Sequence, residues 1–433
     1  MCGVFGVSTE LNISHSEMLY KGLRCLQHRG EDGAGIAWYS EASEKLEQYK
    51  TAELVKSLYD SVQNVKTKAS IGHVRYGTQG GFDLEYVQPI LSPDGKIAMA
   101  FNGQVSTEKD QKDSEALLIR FMFFLNQNTL SSEPTDLTKL IQPKCNEAYS
   151  AAALRKDKLF AFRDLRGTRP LFIGHFKNSG ITGIAVASET NAFHHLDCYK
   201  VDEVEPGTVL EIEAGHITNT YKLDASRRSF CAFEGLYFSR EDSTYREESF
   251  YSIRKRLGEA LAAEDLNDRI ADVVIGVPQS GLPAALGYSN ASQIPFELGL
   301  IKDRYLGRTF IQSSESKRIK AVEEKLHIQR SVVKGKSVLV IDDTIVRGHT
   351  MTHIVKQLRI AGAKAVHVRI AAPPVITPCE KGIDTGRETR LPASDVCIET
   401  LRGKIGADSL KFLSQNALYT VMGKELCTEC FNG

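Results

Sequence analysis

Val338–Thr350 reads VLVIDDTIVRGHT: an apolar run, two carboxylates (Asp342 and Asp343), a short loop reaching Gly348, and then a helical stretch. An unbroken apolar run of this length suits a strand buried on both faces, as in a parallel sheet. Working outward, ADVVIGVP (Ala271–Pro278) and KAVHVRIAAPP (Lys364–Pro374) repeat the pattern, with helical or turn-rich segments between them. Such βα units predict an α/β domain with a parallel sheet. Loop amides and a helix N-terminus behind the acidic pair form a phosphate cradle. It is neither a Walker A loop nor a GxGxxG turn. Two acids ahead of such a cradle suit a ligand carrying two ribose hydroxyls beside a phosphate. Asp-Asp alone also suits a strand that simply ends in a polar loop.

The chain has 433 residues, too many for one ordinary core, so two domains are expected. Lys+Arg and Asp+Glu are balanced at 54 each, which gives no basic excess for nucleic acid or a membrane surface. An anionic ligand must therefore be held by a local site. The N-terminal MCGVFGVSTE lacks the features of a signal peptide, and no apolar stretch is long enough to span a bilayer. The expectation is a cytoplasmic enzyme with no membrane or nucleic-acid partner. Its nine cysteines are then reduced thiols, to be read as nucleophile, metal ligands or core filler.

The first half differs from the second. GVFGVST, AGIAWYS, SIGHVRYGT, KIAMAFNGQV and AAALRKDKLFAFRD are short β-like runs, and only SEMLYKGLRCLQ and SEALLIRFMFFLNQ carry helical spacing. Strands with a few helices laid on them predict an α+β layered domain. The character changes near Asp224–Phe230, which divides the chain into domains 1–228 and 229–433.

Cys2 becomes the first residue once methionine aminopeptidase removes Met1, leaving a thiol and an α-amine on one residue. An amine titrating near neutrality can serve as the thiol's base, so no histidine partner is required. A small residue opening a buried strand is the plainer reading of Cys2 alone. Behind it follow LQHRGEDGAGI (Leu26–Ile36), GHVRYGT (Gly72–Thr78), FNGQ (Phe101–Gln104), KDSEALL (Lys112–Leu118) and RDLRGTRPL (Arg163–Leu171).

In this order the segments resemble the glutaminase domain of N-terminal-nucleophile amidotransferases, specifically the glutamine phosphoribosylpyrophosphate amidotransferases. The resemblance implies an αββα layered first domain with Cys2 as nucleophile. Arg75 would grip the glutamine α-carboxylate, and Asp113 the α-ammonium. Asn102 and Gly103, with Gly30 nearby, would stabilise the oxyanion. Phe101 departs from the histidine common before Asn-Gly in the family.

In the second half the resemblance is to type I phosphoribosyltransferases. It implies that Asp342 and Asp343 contact ribose hydroxyls or Mg²⁺. Thr344, Val346, Arg347, Gly348 and Thr350 would lie in the loop that wraps the 5′-phosphate. GVPQSGLPAALGY (Gly276–Tyr288) resembles the family's pyrophosphate loop, with Ser280 as a further Mg²⁺ ligand. KDRYLGRTFI (Lys302–Ile311) resembles its lid. Lys302, Arg304, Arg308, Arg318 and Lys325 supply cations there, with Arg304 and Arg318 the preferred phosphoribosyl pyrophosphate ligands. Gln279 and Asp303 depart from the aspartate and asparagine usual in the family.

CTEC (Cys427–Cys430) is a CxxC, and thiolates at that spacing suit iron–sulfur or tetrahedral zinc. With Cys231 and Cys379 it matches the four ligands of a [4Fe–4S] cluster in one branch of the family, although Glu380-Lys381 replaces an aromatic pair. Cys25, Cys145, Cys198 and Cys397 read as packing residues. The resemblance implies that glutamine and phosphoribosyl pyrophosphate give 5-phosphoribosylamine, with ammonia passing internally, in a homotetramer inhibited by purine nucleotides. The rival readings are an amidotransferase with another phosphorylated acceptor and a non-catalytic nucleotide sensor.

Overall fold

A computed structural model describes residues 1–61, 63, 65–77, 83–107, 111–128, 137–141, 147–178, 180–224, 227–265, 270–303, 326–385, 391, 393 and 398–432. The chain divides into two compact units. One comprises Met1–Glu234, Phe238–Thr244 and Glu380–Asp384; the other comprises Gly235–Tyr237, Tyr245–Cys379 and Thr385–Gly433.

The first unit contains two antiparallel sheets. One is built on β1 (Gly3–Ser14), β2 (Ala34–Ser40), β3 (Lys45–Thr51) and β4 (Lys66–Val74), and continues through β9 (Phe172–Asn178), β10 (Ile181–Ala187) and β11 (Lys200–Glu203) in the order β11-β9-β10-β1-β4-β2-β3. The other is formed by β5 (Ile90–Leu91), β6 (Ile97–Gln104), β7 (Ala148–Arg155), β8 (Lys158–Arg163), β12 (Thr208–Glu213) and β13 (His216–Lys222), in the order β13-β12-β8-β7-β6-β5.

Alternation explains how the layers stack. Val4, Ala69 and Ile71 from one sheet share a buried cluster with Ala98, Ala100, Ala152 and Leu154 from the other. The opposite face of the first sheet buries Phe5 and Val7 against Leu19 and Leu23 of helix α1 (Ser16–Cys25). On the far side, Met99 and Phe101 pack with Leu117, Phe121 and Phe124 of α2 (Asp113–Asn128). The result is an αββα sandwich, because each period-2 strand has two apolar sides to cover.

The second unit carries a four-stranded parallel sheet: β14 (Val273–Gly276), β15 (Ser337–Asp342), β16 (Ala365–Ile370) and β17 (Ser409–Phe412), in that order. The run 338–341 is wholly buried, as a strand covered on both faces must be. Helix α3 (Phe250–Ala263) packs closely on α4 (Leu282–Ser292), since a Cβ on Gly258 would come within 1.9 Å of the Ala284 carbonyl oxygen. Helix α5 (His349–Ile360) follows β15. Among the described residues no helix is long and apolar enough to cross a membrane.

Candidate active site

The apolar pattern between the two sheets of the first unit turns polar at one end. Two residues beyond Val4, Ile71, Ala100 and Ala152, on the same strand faces, stand Cys2, His73, Asn102 and Ser150. Strand pairing brings them together: Val4 faces His73 across β1–β4, and Asn102 faces Ser150 across β6–β7. The Cys2 amide nitrogen donates to Asn102 Oδ1 at 3.0 Å, while the buried Asn102 Nδ2 has no partner. His73 and Ser150 are also fully buried, and their side-chain polar atoms are unpartnered. Buried polar groups are normally hydrogen-bonded, so this cluster is suited to receive a polar ligand.

Burial by itself would push the Cys2 thiol up. Charge on His73 and at the chain terminus outweighs burial and brings the thiol down to about 6. Sequence reasoning, which assigned the thiol's activation to the α-amine, missed this histidine. A core face that becomes polar with its period unbroken was the available signal. Burial, aided by Arg29 and Arg169, pushes the terminal amine of Met1 down to about 5.

These shifts predict the pH dependence of thiol reactivity. A lowered thiol is protonated below about 6 and nucleophilic above it. Alkylation of Cys2 by iodoacetamide should therefore rise through pH 6 and level off by pH 7. His73→Asn should move that midpoint upward, towards the ordinary thiol range of about 8.5. An unmoved midpoint in the variant would remove His73 from the account.

Arg29 was also missed. It is fully buried, and its Nε donates to the Cys2 carbonyl at 2.9 Å. Its other nitrogens meet Glu189 at 2.5 Å and Glu234 at 2.8 and 3.0 Å. Glu189, although buried, is held far below the usual carboxylate range by His28 and Arg29. Breaking such a buried network leaves an uncompensated charge, at a cost of about 3–5 kcal/mol, so the nucleophile's backbone is held rigidly.

Gly30 lies against the backbone of Arg75, where a Cβ would come within 2.4 Å of the Arg75 carbonyl carbon. Asp32 completes the fit by accepting from the Gly77 amide and donating its own amide to the Arg75 carbonyl. Arg75 is buried, with its guanidinium carbon 5.6 Å from the centre of the Tyr86 ring. Lys112 Nζ lies 4.2 Å from the same ring centre, and Asp113 follows it as the first residue of α2. Burial pushes the Asp113 carboxyl up, with only its own backbone amide opposing, so a nearby cation would be welcome. Tyr86, the ring on which Arg75 and Lys112 converge, carried no sequence signal.

In the second unit, Asp342 ends β15 and Asp343 follows it, both buried. Burial first, then the charge of Asp343, raises the Asp342 carboxyl well above its ordinary value. Burial also raises Asp343, against hydrogen bonds from Ser280 and Thr344. Gly281 is pressed against this strand end, where a Cβ would lie 2.9 Å from the Ile341 carbonyl oxygen. Thr344, Val346 and Arg347 are half-buried in the loop, and Gly348, at φ 82°, opens α5 with Thr350 exposed in its first turn. A positive φ at this point favours glycine. Gln279 is exposed in the turn after β14. Arg304, Arg308, Arg318, Lys325, Cys145 and Cys397 lie outside the described residues.

Two like charges forced together out of water are relieved by a divalent cation, and Mg²⁺ needs only one or two carboxylates plus substrate oxygens. Asp342 and Asp343, with the Ser280 hydroxyl bonded to Asp343, fit that requirement. A closed four-thiolate site is more demanding. Cys231 belongs to the first unit and Cys379, Cys427 and Cys430 to the second. The amides of Ile376 and Thr377 donate to the Cys430 carbonyl. Among the described residues no group of three or more His, Cys, Asp or Glu is arranged to hold a metal ion. Burial raises Cys25 and pushes Cys198 up to about 12, as expected of packing residues.

Residues 249–388 match the phosphoribosyl transferase domain family. Over its full length the chain is 38% identical to the amidophosphoribosyltransferase of Methanocaldococcus jannaschii, spanning 97% of that protein. It is 39% identical to that of Bacillus subtilis, spanning 93%. Among solved structures, the glutamine phosphoribosylpyrophosphate amidotransferase of Bacillus subtilis complexed with ADP and GMP superposes with a TM-score of 0.81 at 37% identity, covering 100% of this chain and 96% of the other.

Proposed function

The chain belongs to the amidophosphoribosyltransferase family, which carries out the first step of purine biosynthesis, and from that premise we propose how its residues divide the work. The observation that carries the reading of the first site is Asn102: one amide atom holds the Cys2 nitrogen, while the buried Nδ2 points to no partner. Removal of Met1 would place a free amine at that nitrogen. Cys2 Sγ then attacks the glutamine amide carbon, and its proton passes to the amine. Asn102 Nδ2 and the Gly103 amide receive the developing oxyanion. Arg75 takes the substrate's α-carboxylate with a planar fork, and Asp113 takes the α-ammonium. Ammonia leaves with the transferred proton, and water hydrolyses the thioester to release glutamate.

In the second unit the amides of residues 344–350 and the start of α5 would hold the 5′-phosphate of phosphoribosyl pyrophosphate. Asp342 and Asp343 would orient the ribose through its hydroxyls. Mg²⁺, held by this pair and Ser280, would neutralise charge on the departing pyrophosphate. Ammonia then displaces pyrophosphate at the anomeric carbon, a step governed by position and electrostatics. Binding of purine nucleotides is proposed by analogy with the Bacillus subtilis neighbour solved with ADP and GMP. Iron–sulfur chemistry enters no step.

The deciding assay compares phosphoribosylamine formation from glutamine and from free ammonia, each with phosphoribosyl pyrophosphate and Mg²⁺. Both nitrogen sources should support product, and a chelator should stop both. Absence of product with either source would end this reading, Gln279 notwithstanding.

A further inference from the structure

The unit that holds Cys2 includes five residues from far along the chain, Glu380–Asp384. This strap touches two parts of the proposed glutaminase site. The Lys381 carbonyl accepts a hydrogen bond from Arg169 Nη2, and Lys381 itself is only 2% exposed. Arg169 Nη1 lies 3.7 Å from Glu234 Oε1, which also accepts from Arg29 at 2.8 Å. Arg29 in turn holds the Cys2 carbonyl. A run of buried polar contacts thus leads from residue 381 to the nucleophile.

The second contact is steric. Gly382 has a φ of 91°, and a Cβ built on it would stand 3.0 Å from the Gly103 carbonyl carbon and 3.3 Å from the Gln104 nitrogen. Gly103 cannot retreat, because a Cβ built on it would lie 1.9 Å from the Ala148 carbonyl oxygen. The Gly103 backbone is therefore clasped between β7 and the strap. Oxyanion donors act only within a few tenths of an ångström of their mark, so whatever fixes Gly103 fixes the donor geometry.

We propose that Glu380–Asp384 is a positioning strap for the glutaminase site, setting the oxyanion loop through Gly382 and the nucleophile's support through Lys381 and Arg169. The proposal rests on the reading of Cys2, Asn102 and Gly103 given above. The residues act through Gly103 and Arg29 and do not touch substrate.

Gly382→Ala should displace Gly103 and lower kcat for glutamine hydrolysis by about ten- to a hundredfold, less than outright loss of a donor. KM for glutamine should change by less than about threefold, because Arg75 and Asp113 are untouched. Two readouts should not move. Phosphoribosylamine formation from free ammonia bypasses the first site, and alkylation of Cys2 by iodoacetamide builds no oxyanion. Glutamine hydrolysis within about twofold of the parent would overturn the proposal, as would an equal loss in all three readouts. Should Gly382→Ala fail to fold, Arg169→Lys decides. It keeps a positive charge beside Glu234 but withdraws the planar donor from the Lys381 carbonyl. The same selective kcat loss supports the strap, and parent-like hydrolysis rejects it. If the unsubstituted chain releases no glutamate from glutamine, the reading of Cys2 fails first and the strap falls with it.

Discussion

Cys2→Ala is expected to lower the glutamine-dependent rate by roughly four to six orders of magnitude, the scale seen when a covalent nucleophile is removed. Alanine is small enough to leave Met1 processing intact, and the backbone of residue 2 is held without the sulfur: Arg29 binds its carbonyl and Asn102 its nitrogen. The ammonia-dependent rate should therefore stay within about twofold of the parent. Intact mass should show Met1 absent from both proteins. Loss of both rates in the variant would contradict the division of labour between the two sites.

The double substitution Asp342→Asn, Asp343→Asn should have the opposite breadth. Phosphoribosylamine formation should fall by about three orders of magnitude with either nitrogen source, because ribose and Mg²⁺ lose their acceptors together. Glutamate release from glutamine should remain measurable. The sign of the stability change is a separate test. Both carboxyls are raised by burial, so the native pair binds protons more tightly than the unfolded chain and loses stability as pH rises above the ordinary carboxylate range. At neutral pH the neutral amides should therefore raise Tm in the absence of ligand. They should also abolish the further rise in Tm that Mg²⁺ with pyrophosphate gives the parent. A lower Tm in the variant would mean that the charges are already compensated within the protein.

The two folds were legible to different degrees for one physical reason. A parallel strand buried on both faces leaves an unbroken apolar run, and Val338–Ile341 could hardly be anything else. The first unit's strands announce themselves only by alternation, but alternation also specifies which residues face the inter-sheet space. Followed two residues further, it would have pointed to His73 and Ser150 beside Cys2 and Asn102. Tyr86 was not legible, since an aromatic in a loop acquires meaning only when Arg75 and Lys112 converge on its ring. Glu380 and Lys381 looked like a departure from a cysteine-flanking pattern. Their place in the first unit depends on contacts with residues some 200 to 280 positions away, such as Arg169 and Gly103.

By itself, the sequence determined the residues on which each half's proposed chemistry rests: a thiol directly after Met1, and an acidic pair ahead of a glycine-bearing loop and a helix. These are local patterns, written in consecutive residues and in strand period. Only the tertiary structure decided what surrounds that chemistry: the charge of His73 on the thiol, the Arg29–Glu234 support beneath it, and the strap against Gly103. Each is set by burial and by contacts between distant segments, which shift a pKa or fix a backbone without leaving a mark in the neighbouring sequence.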